Sequence, residues 1–350
     1  MAPAGAPAAP AAASGVPAGA SWDSAGASGD PAGTPAGPAR VATARTRSAT
    51  GNDGGERAPS LVRTRGELET ALRSAGGRRA VVMTMGALHE GHLDLVREAR
   101  RRADHVIVTI FVNPLQFAPG EDLEAYPRDL EADLALLATV GADLVFAPTP
   151  DVVYPSGDPL VRVDPGPMGQ VLEGRTRPTH FAGVLTVVSK LLHLTRPDVA
   201  LFGEKDAQQL ALIRAMVRDL DLGVEVVGVP IRRDSEGLAL SSRNAYLSAD
   251  ERRSALALPA SLQAGADVAE RGVTAVLEAA RDVVATDGVR LDYLELVDPV
   301  TLEALDDDAQ GVGLLAVAAW VGTTRLIDNR AVTLGVPQES APSPGETKTR

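Results

Sequence analysis

The chain has 350 residues, no cysteine and a formal net charge of −12 at pH 7. The lack of cysteine excludes disulfides, thiolate metal sites and a cysteine nucleophile, and it fits a reducing cytoplasm, where we expect the protein to reside. The excess of acidic over basic residues argues against nucleic-acid binding. No apolar run approaches the roughly 20 residues of a membrane span. We therefore expect small-molecule partners.

The two ends of the chain differ in composition from its centre. Residues 1–60 are dominated by Ala, Pro, Gly and Ser, and residues 335–350 are similar. Such segments cannot bury enough apolar surface to offset the entropy lost on ordering, so we predict that both are disordered. Export is disfavoured, because Pro and Gly interrupt the alanines where a secretory signal has a continuous apolar stretch.

From Ala80 onward, short apolar runs alternate with amphipathic stretches, as in a parallel sheet covered by helices. This pattern predicts an α/β fold with a Rossmann-like, doubly wound parallel sheet over residues 61–231, whose ligands bind beyond the carboxyl ends of the strands. The predicted strands are Ala80–Thr84, His105–Val112, Asp143–Phe146, Asp198–Phe202 and Val224–Val229. The predicted helices are Gly91–Ala103, Arg128–Val140, Ala182–Leu194 and Asp206–Leu220.

The pattern changes after Pro230, which indicates a second unit. We place the boundary near Ile231 and predict a smaller α+β lid domain over residues 232–334. Its predicted helices are Ala249–Glu270 and Val273–Ala285, and its predicted strands are Tyr293–Val297, Leu314–Val321 and Thr324–Asp328.

The loop after the first strand holds two of the five histidines, in the sequence Met85-Gly86-Ala87-Leu88-His89-Glu90-Gly91-His92. Glycines in a strand-to-helix turn let the backbone approach a ligand, and the helix end is positive, so this loop predicts a phosphate site. Alternatively, one imidazole only caps the helix. A metal pair is less favoured because no third ligand lies nearby, although His180 could approach from another loop.

Lys205 lies in Phe202-Gly203-Glu204-Lys205-Asp206, again between a strand and a helix. Only three lysines accompany the many arginines, and Lys190 and Lys348 lie on a helix and in the tail. Loops at the carboxyl ends of neighbouring strands converge, so Lys205 is predicted to face a phosphate bound over the histidines. The equally weighted alternative is a surface Glu204–Lys205 pair with Asp206 capping the helix.

The third candidate is Leu240-Ser241-Ser242-Arg243-Asn244, whose hydroxyls and guanidinium suit a triphosphate. For this motif taken alone, we favour the other interpretation, in which its serines cap the helix after Tyr246.

Several polar side chains are weaker candidates. Amides after strands can hold a hydroxy acid, as at Asn113, Gln116, Gln208 and Gln209. His105 and His193 are interpreted as structural. The acidic residues Asp129, Glu131 and Asp133 are typical of a charged helix face, and a role around magnesium is the less favoured alternative.

Taken in order, the motifs of the chain from about Leu61 to Leu334 resemble those of the pantothenate synthetase family. They are the two loops around His89 and Lys205, Phe111–Phe117, Tyr126-Pro127-Arg128, Arg177–Val184 and Leu240–Asn244. The resemblance implies an AMP-forming ligase that joins pantoate to β-alanine with ATP and magnesium through a pantoyl adenylate. It also implies a cytoplasmic homodimer.

The resemblance further implies the roles of individual residues. His92 corresponds to a proton donor, His89 and Lys205 act on the phosphates, and Gln116, Gln209 and Asn113 hold pantoate or β-alanine. The implied ATP contacts are Met85, Gly86, Ala87, Leu88, His89, Glu90, Gly91, His92, Gly203, Glu204, Lys205, Asp206, Arg232, Leu240, Ser241, Ser242 and Arg243. Arg232 stands where the family commonly has an aliphatic residue, so that contact requires the backbone. The resemblance does not specify the magnesium ligands.

Two other classes of protein remain as alternatives. A simple adenylyltransferase would share His89 and His92 but has no use for the amides and the added domain. A nucleotide-binding module without catalysis would keep the phosphate loop and need no catalytic lysine.

Overall fold

The computed structural model describes residues 58–118, 123 and 129–335. The predicted terminal segments therefore lie outside the described residues, apart from positions 58–60 and 335. The Tyr126-Pro127-Arg128 motif also lies outside them.

The larger part of the fold is a sheet of parallel strands in the order β1-β4-β3-β2-β5-β6, with helices on both faces. Its strands are β1 (Ser60–Val62), β2 (Arg79–Thr84), β3 (His105–Ile110), β4 (Leu144–Phe146), β5 (Val199–Gly203) and β6 (Glu225–Val229). Its helices are α1 (Arg65–Ser74), α2 (Glu90–Arg102), α3 (Leu130–Thr139), α4 (Pro150–Val153), α5 (Glu173–Thr176), α6 (His180–Thr195) and α7 (Ala207–Asp219). The predicted Rossmann-like fold is confirmed.

The central strands are buried on both faces, which explains their nearly continuous apolar sequences. In β2, Val81 and Val82 point to opposite sides and both are fully buried. Val81 lies in the cluster formed with α1, α6 and α7, whereas Val82 lies in the cluster formed with α2 and α3. The strand order reverses between β2 and β5, so their carboxyl ends flank the crevice in which such sheets bind ligands.

The smaller part of the fold is an antiparallel sheet of three strands, in the order β7-β8-β9, with three helices on one face. The strands are β7 (Val289–Val297), β8 (Gly311–Val321) and β9 (Thr324–Leu334), and the helices are α8 (Ala249–Ala255), α9 (Ala257–Ala266) and α10 (Val273–Val284). The other face of the sheet packs on the first unit, where Tyr293 and Ala316 join a cluster with Leu172 and Ala211.

A buried ion-pair network joins the small sheet to α5 of the first unit. Arg325 of β9 makes two hydrogen bonds to Glu173 of α5, at 2.6 and 2.8 Å, and Tyr293 donates to the same carboxylate at 2.8 Å. Asp292 accepts from Arg325 at 2.7 Å. Removing one partner of a buried pair leaves an uncompensated charge, so this network specifies how β9 lies against α5.

Some local predictions were wrong. The predicted helix Ala249–Glu270 is two helices, α8 and α9. The break follows from Pro259, because proline has no N–H to donate to the carbonyl of Ala255 and its ring clashes there. β1 and α1 were not predicted, although Thr64 and Glu67 form a capping box that marks the start of α1. In the part of the chain that is described, no helix is long and apolar enough to cross a membrane.

Candidate active site

A cleft of about 270 Å³ lies at the carboxyl ends of β2 and β5. It is bounded by the loop after β2, the turn that contains Lys205, and residues Leu240–Arg243 from the start of the second unit. A neighbouring cavity of about 460 Å³ lies between α5, α7 and the small sheet, and Lys205, Asp206 and Gln209 line both spaces. The predicted convergence of the two strand-end loops is thus seen in the structure.

A buried carboxylate holds the loop after β2 in place. Gly86 and Ala87 both have positive φ values, +90° and +51°, and a non-glycine residue pays for that conformation in steric strain. Asp133 of α3 accepts hydrogen bonds from the backbone N–H groups of Ala87 (3.1 Å) and Leu88 (2.8 Å). A Cβ atom at position 86 would lie 3.0 Å from the Asp133 Oδ2, so the close approach also requires glycine.

The interpretation of Asp133 as part of a charged helix face was therefore wrong. Its side chain is only 3% exposed, because the helix turns this position towards the loop after β2 rather than towards solvent. Burial raises the pKa of Asp133, and the hydrogen bonds from Leu88 and Ala87 oppose that rise by favouring the carboxylate. Asp129 does lie at the surface and caps α3 through the Ala132 N–H.

Replacing Asp133 with alanine is expected to destabilise the fold by about 2–4 kcal/mol, because two buried N–H groups lose their acceptor. It should also raise the KM for ATP, the substrate that the resemblance implies, since the loop before α2 loses its support. Urea unfolding and steady-state kinetics measure both effects. Asp129→Ala is the matched control on the same helix and should cost about 1 kcal/mol with unchanged KM. Equal effects of the two changes would contradict the role of Asp133.

Both histidines of the loop cap the start of α2 through their Nδ1 atoms. The Nδ1 of His89 accepts from the Gly91 N–H at 3.2 Å, and the Nδ1 of His92 accepts from the His89 N–H at 3.3 Å. Their ring centres are 4.1 Å apart. A Cβ atom on Gly91 would lie 3.0 Å from the His89 ring, so glycine is needed between them. Both rings therefore cap the helix, where the alternative interpretation assigned a cap to one, and these caps leave both Nε2 atoms available.

These hydrogen bonds also determine the protonation of the rings. A nitrogen that accepts a hydrogen bond carries no proton, so each neutral ring holds its proton on Nε2 and can donate it to a ligand. Burial lowers the pKa of His92 to about 3, with smaller contributions from His89 and Lys205. Burial and Lys205 also lower the pKa of His89. Both imidazoles are therefore neutral at physiological pH.

The low pKa of His92 predicts a pH-dependent loss of stability. The unfolded side chain has a pKa near 6.5 and the folded one about 3, so the stabilisation is complete above pH 6.5 and is lost as the pH falls towards 3. Lowering the pH from about 7.5 to about 5.5 should reduce the free energy of unfolding by about 1 kcal/mol through this residue, as measured by urea unfolding. In His92→Asn this contribution should disappear. If the free energy of unfolding of this variant depends on pH as strongly as that of the unchanged protein, the prediction is contradicted.

Lys205 lies in a short 3-10 helix, Glu204–Asp206, between β5 and α7. No carboxylate among the described residues lies within ion-pair distance of its ammonium group, so the alternative of a Glu204–Lys205 pair was wrong. Asp206 precedes α7 but makes no capping hydrogen bond with its side chain. The positive charge of Lys205 contributes to the lowered pKa of both His89 and His92, which reflects its position facing them.

Gln116 lies on the opposite side of the cleft and is held by its neighbours. Its Oε1 accepts from Asn113 at 3.2 Å and its Nε2 donates to the Met85 Sδ at 3.0 Å. Asn113 is only 1% exposed and also accepts from the Tyr154 hydroxyl at 2.9 Å. Asn113 therefore holds the Gln116 amide in place from the buried side of the cleft wall.

His180 and Arg177, which the resemblance included without an assigned role, also line the cleft. His180 Nδ1 lies 3.0 Å from the backbone oxygen of Gln116, to which it donates, and Arg177 donates to the same oxygen at 3.3 Å. Burial, and then Arg177, lower the pKa of His180 to about 4. His180 begins α6, just before the predicted helix Ala182–Leu194, and a polar side chain at a predicted helix start was the signal that could have marked it. In the described ranges, no group of three or more His, Cys, Asp or Glu side chains could hold a metal ion.

The segment Leu240–Arg243 lines the cleft as predicted. The favoured interpretation of its serines as caps of the following long helix was wrong, since Ser248 caps α8 and Ser241 caps only the short 3-10 helix Ser242–Tyr246. The Arg232 side chain is half exposed and its Nη1 lies 3.4 Å from Asp94 on α2. Its guanidinium is thus directed to the surface of α2.

The structure brings most of the predicted residues to one cleft, but not all of them. The predicted residues that line it are Met85, His89, Gly91, His92, Asn113, Gln116, Gly203, Lys205, Asp206, Gln209, Arg232, Leu240, Ser241, Ser242 and Arg243. Those that do not line it are Gly86, Ala87, Leu88, Glu90 and Glu204. Glu90 is directed to solvent and pairs with Arg97 at 2.9 Å, because the first turn of α2 rotates it away.

Comparison with known proteins identifies the family that the chain resembles. The profile of the pantoate–β-alanine ligase family matches residues 60–331. The pantothenate synthetase of Thermobifida fusca is 57% identical over 288 residues, which cover 79% of this chain and 97% of the relative. That of Streptomyces avermitilis is 52% identical over 330 residues, covering 79% and 98%.

Solved structures give the same result. The crystal structure of pantothenate synthetase from Thermus thermophilus superposes with a TM-score of 0.73 and 48% identity, covering 77% of this chain and 98% of that one. The pantoate–β-alanine ligase of Francisella tularensis, complexed with β-γ ATP and β-alanine, has a TM-score of 0.66 and 33% identity over 78% and 97% of the two chains.

Proposed function

The chain belongs to the pantoate–β-alanine ligase family, and from this premise we propose that it condenses pantoate with β-alanine to pantothenate at the expense of ATP. One observation carries the proposal: His89, His92 and Lys205 meet at the strand-order reversal, and Gln116 and Gln209 line the same cleft. The two histidines and the lysine suit phosphates, and the two glutamine amides suit a hydroxy acid. A simple adenylyltransferase has no use for the amide pair.

ATP is proposed to bind with its phosphates at the start of α2. The helix terminus supplies a positive end, and the two neutral imidazoles supply Nε2–H donors. Lys205 supplies a full positive charge, and Ser241, Ser242 and Arg243 add hydroxyl and guanidinium donors from the other wall. Because both imidazoles are neutral, we propose that His92 acts as a hydrogen-bond donor to a phosphate oxygen rather than as a source of a proton.

The reaction is proposed to run in two steps. A pantoate carboxylate oxygen attacks the α-phosphorus, a C–O–P bond forms and pyrophosphate leaves with the bonding electrons. The amine of β-alanine, after losing a proton, then attacks the activated carbonyl carbon, the amide bond forms and AMP leaves. The enzyme contributes mainly by positioning the reactants and by stabilising charge at phosphorus, where Lys205 and the histidine donors are directed.

Magnesium is proposed to enter bound to ATP. The donor set fits this, since Asp206 offers an exposed carboxylate at the cleft while the described residues contain no ready cage of ligands. Mg²⁺ usually keeps several waters and binds substrate phosphates with one or two carboxylates. It would neutralise phosphate charge there.

Gln116 and Gln209 are proposed to hold the hydroxyl groups of pantoate through their amides. Asn113 is proposed to act by fixing the Gln116 amide. Arg232 is proposed to contact the nucleotide only through its backbone, as its side chain is directed to Asp94.

Product analysis tests the proposal. Purified protein with ATP, magnesium, pantoate and β-alanine should yield pantothenate, AMP and pyrophosphate, and each omission of an organic substrate should abolish pantothenate. Exchange of labelled pyrophosphate into ATP should need pantoate but not β-alanine. AMP transfer without either acid would favour the adenylyltransferase, and nucleotide binding without turnover would favour the non-catalytic module.

Three broader expectations stay proposals. Family resemblance implies a homodimer, which sedimentation velocity would reveal. The absence of cysteine fits a cytoplasmic location. The division at Ile231, with residues 61–231 binding ATP and pantoate and residues 232–334 forming a lid, is testable by limited proteolysis of the linker.

A further inference from the structure

The small sheet contacts the backbone on either side of the Lys205 side chain. Asn329 lies in β9 and is only 7% exposed. Its side-chain Nδ2 donates to the backbone oxygen of Glu204 at 3.0 Å and to that of Lys205 at 2.8 Å. A single primary amide has two hydrogens, so both are used in holding this turn.

Asn329 is itself held in a fixed position. Its backbone N–H donates to the Oδ1 of Asp328 at 2.8 Å. Asp328 is buried and accepts two hydrogen bonds from Arg233, at 2.6 and 2.8 Å. Arg233 lies just after the predicted domain boundary near Ile231, so β9 is bonded both to the Lys205 turn and to the segment that leads into its own unit.

We propose that Asn329 is a positioning residue for Lys205, through which the small sheet takes part in adenylate formation. Asn329 lines the neighbouring cavity and not the 270 Å³ cleft, so it acts through the backbone of Lys205 and touches no reacting group. The proposal rests on the proposed function, since it assumes that Lys205 acts on the ATP phosphates.

The expected effect is on the rate of the first step. A misplacement of a catalytic group by about 1 Å can cost roughly a hundredfold, so Asn329→Ala should lower kcat for pyrophosphate exchange by about ten- to a hundredfold. The KM for ATP should change little, because the loop after β2 and residues Ser241–Arg243 are untouched. The reaction of supplied pantoyl adenylate with β-alanine should stay close to normal.

A second variant separates positioning from packing. Asn329→Asp keeps the size of the side chain but places an acceptor against two carbonyl oxygens, so it should show the same selective loss of the first step. Ser261→Ala is the control: Ser261 is buried in the same unit and donates to the Leu258 backbone oxygen at 2.8 Å, away from Lys205. It should leave both steps unchanged. Thermal unfolding of each variant checks that the fold is retained.

A double-mutant cycle with Lys205→Ala decides the proposal. If Asn329 acts through Lys205, the double variant should be no slower in pyrophosphate exchange than Lys205→Ala alone, measured at enzyme concentrations that keep the slowest variant detectable. Multiplicative losses, or equal losses in both steps, would overturn the inference while leaving the proposed function intact. A Lys205→Ala variant with normal exchange would overturn both.

Discussion

Lys205→Ala is expected to lower the rate of adenylate formation by roughly a hundredfold or more, the scale of losing one oriented electrostatic stabiliser. The described structure offers no carboxylate partner for this ammonium, so its charge is available to a phosphate. It also lies close enough to lower the pKa of both His89 and His92. Pyrophosphate exchange in the presence of pantoate measures the step directly, and the loss should appear in kcat more than in KM.

Lys190→Ala provides the matched control for this change. Lys190 lies on α6, outside the cleft, with its Nζ 5.4 Å from the centre of the Tyr154 ring. Its removal takes away the same charge and a similar volume, so exchange should remain near normal. Near-normal exchange by Lys205→Ala, or an equal loss from both changes, would show that Lys205 has no specific role at the phosphates.

The second large effect is expected at His92, where two substitutions separate the two nitrogens of the ring. Asparagine places an acceptor near the Nδ1 position and can keep the cap on the His89 N–H. Glutamine places an N–H near the Nε2 position and loses that cap. If the Nε2–H donates to a phosphate, His92→Asn should lose roughly a hundredfold or more in adenylate formation, whereas His92→Gln should retain more activity.

Pyrophosphate exchange and thermal unfolding should be measured together for the His92 variants. His92→Asn should be the more stable and the less active of the two. His193→Ala is the control, since His193 lies on the exposed face of α6 and hydrogen-bonds to the Ser189 carbonyl oxygen at 2.7 Å, away from the cleft. A more active His92→Asn would mean that the capping function of Nδ1, not the Nε2 donor, limits the reaction.

The secondary structure was largely predictable because it depends on local patterns. The apolar strands and one-sided helices of the first unit fall within a few residues of their predicted limits. The prediction of one long helix in the second unit failed because Pro259 cannot be accommodated inside a continuous helix and divides it in two. The strand β1 was missed because three residues carry almost no periodic signal. The ten-residue helix α1 was missed although its capping box is a local signal.

The site was predictable to the level of its loops. The glycine and histidine spacing after β2 and the single lysine after β5 marked two strand ends, and the rule for such sheets implied their convergence. Side-chain direction was less predictable. Glu90, predicted to contact ATP from the loop, faces solvent, and Asp133, predicted on a charged helix face, is buried. A helix rotates by about 100° per residue, so its exact start and orientation decide which way each side chain faces.

The sequence by itself thus determined the α/β class, the order of the elements and the loops that meet at the cleft, since these follow from periodicity, turn residues and chain order. Only the tertiary structure decided that Asp133 supports the loop after β2, that Asn113 lies behind Gln116, and that Asn329 holds the Lys205 turn. These contacts join residues that are far apart along the chain or on rotated helix faces. Hydrogen bonds of that kind depend on how whole elements pack, and no local pattern records them.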